Sequence, residues 1–151
     1  MRRHLLVPLL ALSLPLLAGC SSPAIQSIEL LDQPATAQDE LPPGLHVGGF
    51  EPDTPRFAAT VHGLSFYVAR AASGDAAESA TADEGLCLII AEEDHIVCGG
   101  MPFDASFYGI SAKIEADDFD ASALTSDGWD QVQKNLFLKG LDVQRKPGRN
   151  R

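Results

Sequence analysis

Two cysteines in short apolar runs carry the clearest chemical signal of the sequence. Cys87 and Cys98 are separated by an acidic stretch at residues 92–94. A hairpin that pairs Ile90 with His95 aligns the apolar residues and also places the two cysteines opposite each other. Such neighbours lie about 4.5–5.5 Å apart at Cα, which a disulfide tolerates. The pattern predicts a structural disulfide worth about 3 kcal/mol, because redox pairs are usually more closely spaced and electropositive.

Histidines and acids are the next candidates for chemistry, as metal ligands. His46, His62 and His95 are scattered, and no His-x-His or Cys-x-x-Cys spacing occurs. Three aspartates within residues 117–120 have the density of a calcium loop but lack its Asp-x-Asp-x-Asp-Gly spacing. The sequence therefore predicts neither a metal site nor a cofactor. It predicts that residues 117–120 form a charged turn before a helix.

No catalytic residues can be named from the sequence. It contains no Gly-x-Ser-x-Gly elbow, and its twenty-one acids are too many for any one pair to stand out. Paired carboxylates of a hydrolase stay open as an alternative. The aromatic side chains are expected mainly in the core, although they would also suit a sugar or peptide groove: Phe66, Tyr67, Phe107, Tyr108 and Trp129.

The first nineteen residues have the three zones of an export signal. Arg2 and Arg3 form a positive head, residues 5–17 are almost entirely apolar, and Ala18-Gly19 precedes Cys20. An apolar stretch of roughly 7–15 residues followed by small residues is typical of a secretory signal peptide. It is shorter than the about 20 residues of a membrane span. Export by the general or the twin-arginine route stays open.

The tetrapeptide Leu17-Ala18-Gly19-Cys20 resembles the lipobox of bacterial lipoproteins. The resemblance implies that the chain is cut before Cys20 and that this cysteine carries a diacylglyceryl thioether. Two acyl chains suffice for stable anchoring, whereas one binds reversibly. We therefore expect a protein lipid-anchored to the extracytoplasmic face of the cell membrane.

The charge of the expected mature chain restricts its partners. Without Arg2 and Arg3, nine basic residues oppose twenty-one acidic ones, which gives a net charge of −12. Residues 20–144 contain five basic residues and all twenty-one acids, a net charge of −16, whereas residues 145–151 carry four positive charges. Such an acidic body repels nucleic acid. The expected partners are the membrane, through the lipid on Cys20, and a cationic protein or ligand.

Short strands with turns between them predict a mainly β fold. Residues 56–61 and 64–70 suit a hairpin turning at His62-Gly63, and the cysteine hairpin follows. We further expect a strand at 108–115, a helical turn near 121–124, and a last strand within 129–138, for which a short helix is the less favoured alternative. The prediction is a small single domain of antiparallel strands, with α+β as the alternative.

Four regions follow along the chain. They are a signal peptide (1–19), the lipidated cysteine with an irregular tether (20–53), a β-rich domain (54–140) and a basic C-terminal tail (141–151). Within the tether, Ile28 and Leu31 would lie on one face of a short helix. Residues 73–84 have no apolar period and are expected to form an exposed loop.

A wider set of features resembles a group of small actinobacterial lipoproteins. These features are the lipobox, an Asp-Glu-Leu-Pro stretch at 39–42, Arg56 entering a strand pair, the cysteine hairpin, and Gly-Trp followed by Asn-Leu-Phe. The resemblance implies an envelope location and no particular activity. The expected function is a non-enzymatic binding or envelope-associated domain, with a small envelope hydrolase as the alternative.

Overall fold

The computed structural model describes residues 27–72 and 85–141, which form two antiparallel four-stranded sheets. The predicted mainly β single domain is confirmed. The strands are β1 (Arg56–Val61), β2 (Leu64–Arg70), β3 (Leu86–Ile90), β4 (His95–Gly99), β5 (Phe103–Phe107), β6 (Ile110–Ile114), β7 (Asp130–Gln131) and β8 (Leu136–Lys139). The helices α1 (Glu29–Asp32) and α2 (Ser122–Ser126) are short, and one-turn 3-10 helices lie at Ala37–Asp39 and Ala91–Glu93.

The first sheet is a meander in the order β1-β2-β3-β4. Its two hairpins follow the predicted register, with Val61 paired to Leu64 and Ile90 paired to His95. The second register places Cys87 opposite Cys98, and the two sulfurs form the disulfide. Apolar residues on both sides of β3 explain why this strand is fully buried.

The second sheet has the order β5-β6-β8-β7, and here strands were predicted but two of their bounds were not. The strand expected at 108–115 begins only at Ile110, because Tyr108 and Gly109 form a tight turn with φ of 47° and 82°. A separate strand, β5, precedes this turn. The strand or helix expected within 129–138 is divided into β7 and β8, because residues 132–135 turn the chain between them.

The main core lies between the two sheets. Phe66 of β2 packs on Phe107 of β5 with ring centroids 6.4 Å apart. Alternate residues of the second sheet point inwards. Buried and exposed residues therefore alternate strictly along β5, and buried and partly buried residues alternate along β6. Ile28, which precedes α1, and Leu31, which lies within it, also join this core, as the apolar face predicted for that segment requires.

The N-terminal segment covers the other face of the first sheet. Leu41, Val47 and Phe50 pack on a buried cluster that includes Tyr67 and Ile89. Phe50 also forms an isolated antiparallel β-bridge with Ala71, the residue that follows β2. Residues 27–53 belong to the segment that the sequence predicts to be an irregular tether, and they are largely irregular. They nevertheless pack against the domain, because apolar residues occur among their prolines and glycines.

Candidate functional site

The two ends of the sandwich differ in what they hold. At the end that we call the Asp117 end, the chain leaves β6 and residues 115–117 meet the N-terminal segment at Ser27. At the opposite end, the turn end, lie the turns at 62–63, 91–94 and 108–109. The strands of the first sheet run between the two ends and have five to seven residues. A strand of five residues spans about 17 Å.

Asp117 holds the N-terminal segment in place. Its Oδ2 accepts hydrogen bonds from the Glu29 backbone N–H at 2.8 Å and from the Ser27 hydroxyl at 3.1 Å. Its Oδ1 accepts one from the Asn135 side chain at 3.0 Å, and Lys134 lies 3.3 Å away. Partial burial opposes ionisation, but these donors outweigh it and hold the Asp117 pKa below its ordinary value. We call Asp117 with these four partners the N-terminal latch.

Asn135 supports the latch from within the core. This residue is only 2% exposed, and its amide donates to the Glu115 carbonyl at 2.9 Å as well as to Asp117. Its Oδ1 has no hydrogen-bond partner among the described residues. Next to it, Lys134 donates to Glu29 at 2.9 Å, a bond that raises the lysine pKa. The latch was not predicted; in the sequence, Asp117 was only one of several acids in a charged turn.

Acidic residues dominate the turn end. Glu92 accepts the Ser65 backbone N–H at 2.5 Å, and Asp94 accepts that of His46 at 2.8 Å. Burial raises the Glu92 pKa, but the hydrogen bonds from Ser65 lower it more, so the net pKa lies below its ordinary value. Glu93 is exposed and makes no hydrogen bond or ion pair with any described residue. Its charge is therefore directed to solvent.

An aromatic surface adjoins these acids. The Tyr108 ring lies 5.4 Å from the His95 ring, and Tyr108 is 58% exposed. His46 contacts Asp94 with Nδ1 3.4 Å from Oδ2, and His62 occupies a turn of the same end. The fold thus places at one end of the sandwich three histidines that are scattered in the sequence. Even so, no group of three His, Cys, Asp or Glu in residues 27–72 and 85–141 has a geometry that would hold a metal ion.

The disulfide fastens the covering segment as well as the hairpin. Cys87 is fully buried, and the Gly49 carbonyl oxygen lies 3.5 Å from its Sγ and 3.9 Å from that of Cys98. The sulfurs are thus enclosed between β3, β4 and residues near Gly49. This position suits a structural bond, because thiol exchange requires access to a sulfur.

Arg56 has a structural role in this fold. Its Nε donates to the Gln33 carbonyl at 3.0 Å, and its Nη1 donates to those of Pro55 at 2.9 Å and Asp53 at 3.2 Å. Nearby, Asp39 accepts the Phe57 backbone N–H at 2.7 Å. The Asp-Glu-Leu-Pro stretch and Arg56, which are far apart in sequence, therefore join the N-terminal segment to the first strand.

The geometry gives little support to paired catalytic carboxylates. An open cleft of about 560 Å³ is lined by Asp39, Glu40 and Asp53. Burial raises the Asp39 pKa, but hydrogen bonds from Phe57 and Thr36 outweigh burial and lower it. Among the described residues, the one carboxyl with a raised pKa is Glu115, through burial that nearby Lys113 only partly offsets. Glu115 does not line this cleft, so a general acid and its partner are not found there together.

The candidate aromatic groove is divided between core and surface. Phe66, Tyr67 and Phe107 are buried. Trp129 lies on the outer face of the second sheet, with the ammonium groups of Lys113 and Lys139 at 5.5 and 5.8 Å from its ring. Tyr108 is exposed at the turn end, so these aromatic side chains do not line one common groove.

Comparison with known proteins returned no matching family model, no similar curated protein and no similar solved structure. No helix in the described part of the chain is long and apolar enough to span a membrane. Cys20, the predicted loop at 73–84 and most of the basic tail lie outside the described residues. The turn end is the candidate functional site, because it combines exposed charge with an exposed aromatic ring.

Proposed function

We propose that the chain is an extracytoplasmic lipoprotein whose domain binds a cationic partner at the turn end. In this proposal, Cys20 carries the lipid and the domain has a binding role and no catalytic one. The observation that carries the proposal is the position of Glu93 and Tyr108 at the same end of the sandwich. Glu93 is an exposed carboxylate without a hydrogen bond or ion pair to the part of the chain that the structure describes, and Tyr108 presents an exposed aromatic ring.

The position of the latch supports presentation of the turn end away from a membrane. Ser27 is held at the Asp117 end, and only six residues separate it from Cys20. A chain of that length reaches at most about 25 Å. A lipid on Cys20 would therefore keep the Asp117 end near the bilayer and leave the turn end facing outwards.

The chemistry of the partner follows from the side chains at this end. A carboxylate attracts Lys and Arg, and the face of an aromatic ring binds the same cations within about 6 Å. The net charge of −16 over residues 20–144 adds long-range attraction for a basic segment. An acidic or neutral partner would gain neither contribution.

Lipid attachment is tested by the mass of the mature protein and by its location. The proposal expects a diacylglyceryl group on Cys20 and release of a Cys20→Ala variant from the membrane fraction. A protein that remains membrane-bound in the Cys20→Ala form, with its signal sequence removed, would contradict lipid anchoring.

Partner binding is tested by photo-crosslinking in intact cells, with benzoylphenylalanine in place of Tyr108. The same replacement of Phe119 is the matched control, since Phe119 is 39% exposed and lies beyond β6 at the Asp117 end. We expect cross-links to a Lys- or Arg-rich segment from position 108 alone, with a yield that falls in the Glu93→Lys background. Equal cross-linking from both positions, or an acidic segment at the cross-link, would refute the cationic partner.

A further inference from the structure

One sheet edge, β4, lacks the protection that the other three edges carry. β1 has a bulge between Phe57 and Ala59, and the Asp39 carboxylate accepts the outward N–H of Phe57. β7 has only two residues, and β5 carries Asp104, which is paired with Lys113. Bulges, short length and charge are the usual devices that prevent an edge from pairing with another chain. β4, by contrast, contains no Asp, Glu, Lys, Arg or Pro over its five positions.

The outer side of β4 presents backbone hydrogen-bonding groups. The Cα atoms of Cys87 and Cys98 are 4.0 Å apart, the short spacing of an antiparallel pair that does not exchange backbone hydrogen bonds. The N–H and C=O of Cys98 therefore point away from β3, and those of Ile96 do so by the same alternation. Among residues 27–72 and 85–141, β4 pairs with β3 alone. Two donors and two acceptors are thus free of strand partners in this part of the chain.

The edge is held in its extended form before any partner arrives. The disulfide joins β4 to the fully buried strand β3. On one face of β4, the Gly49 carbonyl oxygen lies 3.9 Å from the Cys98 Sγ, and Ile96 packs on the same buried cluster as Val47 and Phe50. A strand that paired with β4 would therefore meet an ordered template, and little binding free energy would be lost in ordering it.

The acidic turn before β4 indicates the charge of the strand that this edge would accept. Residues 92–94 are all acidic, and His95, the first residue of β4, follows them directly. Glu92 and Asp94 each accept a backbone N–H from another segment, whereas Glu93 has no hydrogen bond or ion pair within the described ranges. Neighbouring strands lie about 4.8 Å apart. A Lys or Arg at the end of an added strand beside His95 would therefore lie close to this turn.

Charge selects a segment of a cationic partner over a second copy of the domain. Two copies pairing at β4 would bring together two bodies that each carry a net charge of −16 over residues 20–144. Like charges oppose that contact, whereas a basic segment is attracted to it. The Tyr108 ring, 5.4 Å from the His95 ring and 58% exposed, offers a further contact to a cation at this end of β4.

We propose that an extended segment of the cationic partner adds to the first sheet as a fifth strand, paired with β4. Its backbone binds the outward groups of Ile96 and Cys98, and a Lys or Arg at its end beside His95 meets the acidic turn. Main-chain hydrogen bonds supply affinity in such strand addition, and side chains supply specificity. The cationic nature of the partner rests on the proposed function, whereas the pairing with β4 goes beyond it.

Hydrogen exchange tests whether the edge is available in the full chain, purified in detergent. The Ile96 and Cys98 amides should exchange rapidly, whereas the Val97 amide, which faces β3, should exchange slowly. Slow exchange at Ile96 and Cys98 would show that the chain itself covers this edge. Protection that rises with protein concentration would assign the edge to a second copy. Either result would overturn the proposal.

A proline at position 96 tests the pairing itself, with cross-linking from benzoylphenylalanine at position 108 in intact cells as the readout. Ile96→Pro removes an N–H that β3 does not use, and an edge strand tolerates proline where the N–H faces outwards. Ile96→Ala is the matched control, because it keeps that N–H and also shortens the side chain. Slow exchange at Val97 reports an intact sheet in both variants. We expect the cross-link to the basic segment to persist in Ile96→Ala and to fall about tenfold or more in Ile96→Pro.

The outcomes separate the two proposals. A cross-link of equal yield in Ile96→Pro and Ile96→Ala would overturn strand addition and leave the cationic partner in place. No cross-link from position 108 in the wild type would remove the cationic partner, and strand addition with it. The exchange measurement on the wild type needs neither variant, so the proposal stays falsifiable even if Ile96→Pro does not fold.

Discussion

The carboxylate of Asp117 accepts a hydrogen bond from the backbone N–H of Glu29, which lies 88 positions earlier in the chain. This bond joins the first described helix to the segment after β6. It makes the N-terminal segment part of the domain, although most of that segment is irregular. The stability of the domain and the position of the expected anchor therefore depend on the same side chain.

Replacement of Asp117 by Asn should destabilise the protein by about 1–3 kcal/mol, because it removes the charge from several hydrogen bonds at once. The free energy of unfolding in urea measures the loss. Asp118→Asn, one position further and exposed, is the matched control and should change stability by less than about 0.5 kcal/mol. Equal effects of the two substitutions would show that the latch contributes nothing specific.

The contribution of Asp117 should depend on pH in a defined direction. Its folded pKa lies below the ordinary value of 3.8, so the stabilisation is present above pH 3.8. It is lost as the pH falls through the lower, folded pKa. The stability difference between wild type and Asp117→Asn should therefore stay constant from pH 7 to pH 5 and shrink below pH 3.8. A difference that persists in strong acid would contradict this linkage.

Glu115 should show the opposite dependence, because burial raises its pKa above the ordinary value of 4.5. Ionisation of this carboxyl costs stability once the pH exceeds 4.5, whereas below that value both folded and unfolded forms are protonated. Glu115→Gln should therefore raise the melting temperature at pH 7, and the gain should vanish below pH 4.5. Since Asn135 donates to the Glu115 backbone carbonyl, the substitution leaves that hydrogen bond intact.

Local patterns in the sequence predicted the first sheet better than the second. Each hairpin of the first sheet joins neighbouring strands, so apolar alternation and a turn such as His62-Gly63 determine the register. Tyr108-Gly109 forms a similar turn, yet Tyr rarely adopts positive φ, so the residue types there do not indicate a turn. The latch joins residues 88 positions apart, and no periodicity reports such a contact. The proposed binding site at the turn end likewise consists of residues that are distant in sequence and that only the fold places at one end.

Removal of the disulfide should cost about 3 kcal/mol, as expected for a loop closed by residues eleven positions apart. Cys87→Ala/Cys98→Ala is the suitable variant, because a serine at the fully buried position 87 would add an unpaired hydroxyl. The melting temperature of the variant should match that of the reduced wild type. If the variant were instead as stable as the oxidised protein, the disulfide would not stabilise this hairpin.

His62→Asn should stabilise the first hairpin by about 0.5–1 kcal/mol, because Asn-Gly is favoured in two-residue turns with positive φ at both positions. His62 and Gly63 have φ of 52° and 83°, and His62 is exposed. The substitution therefore relieves backbone strain without removing a packed side chain. The matched variant Gly63→Ala should act in the opposite direction, since a Cβ at that φ is strained even in open space. Urea denaturation measures both changes, and the same sign for the two would show that backbone conformation does not determine the stability of this turn.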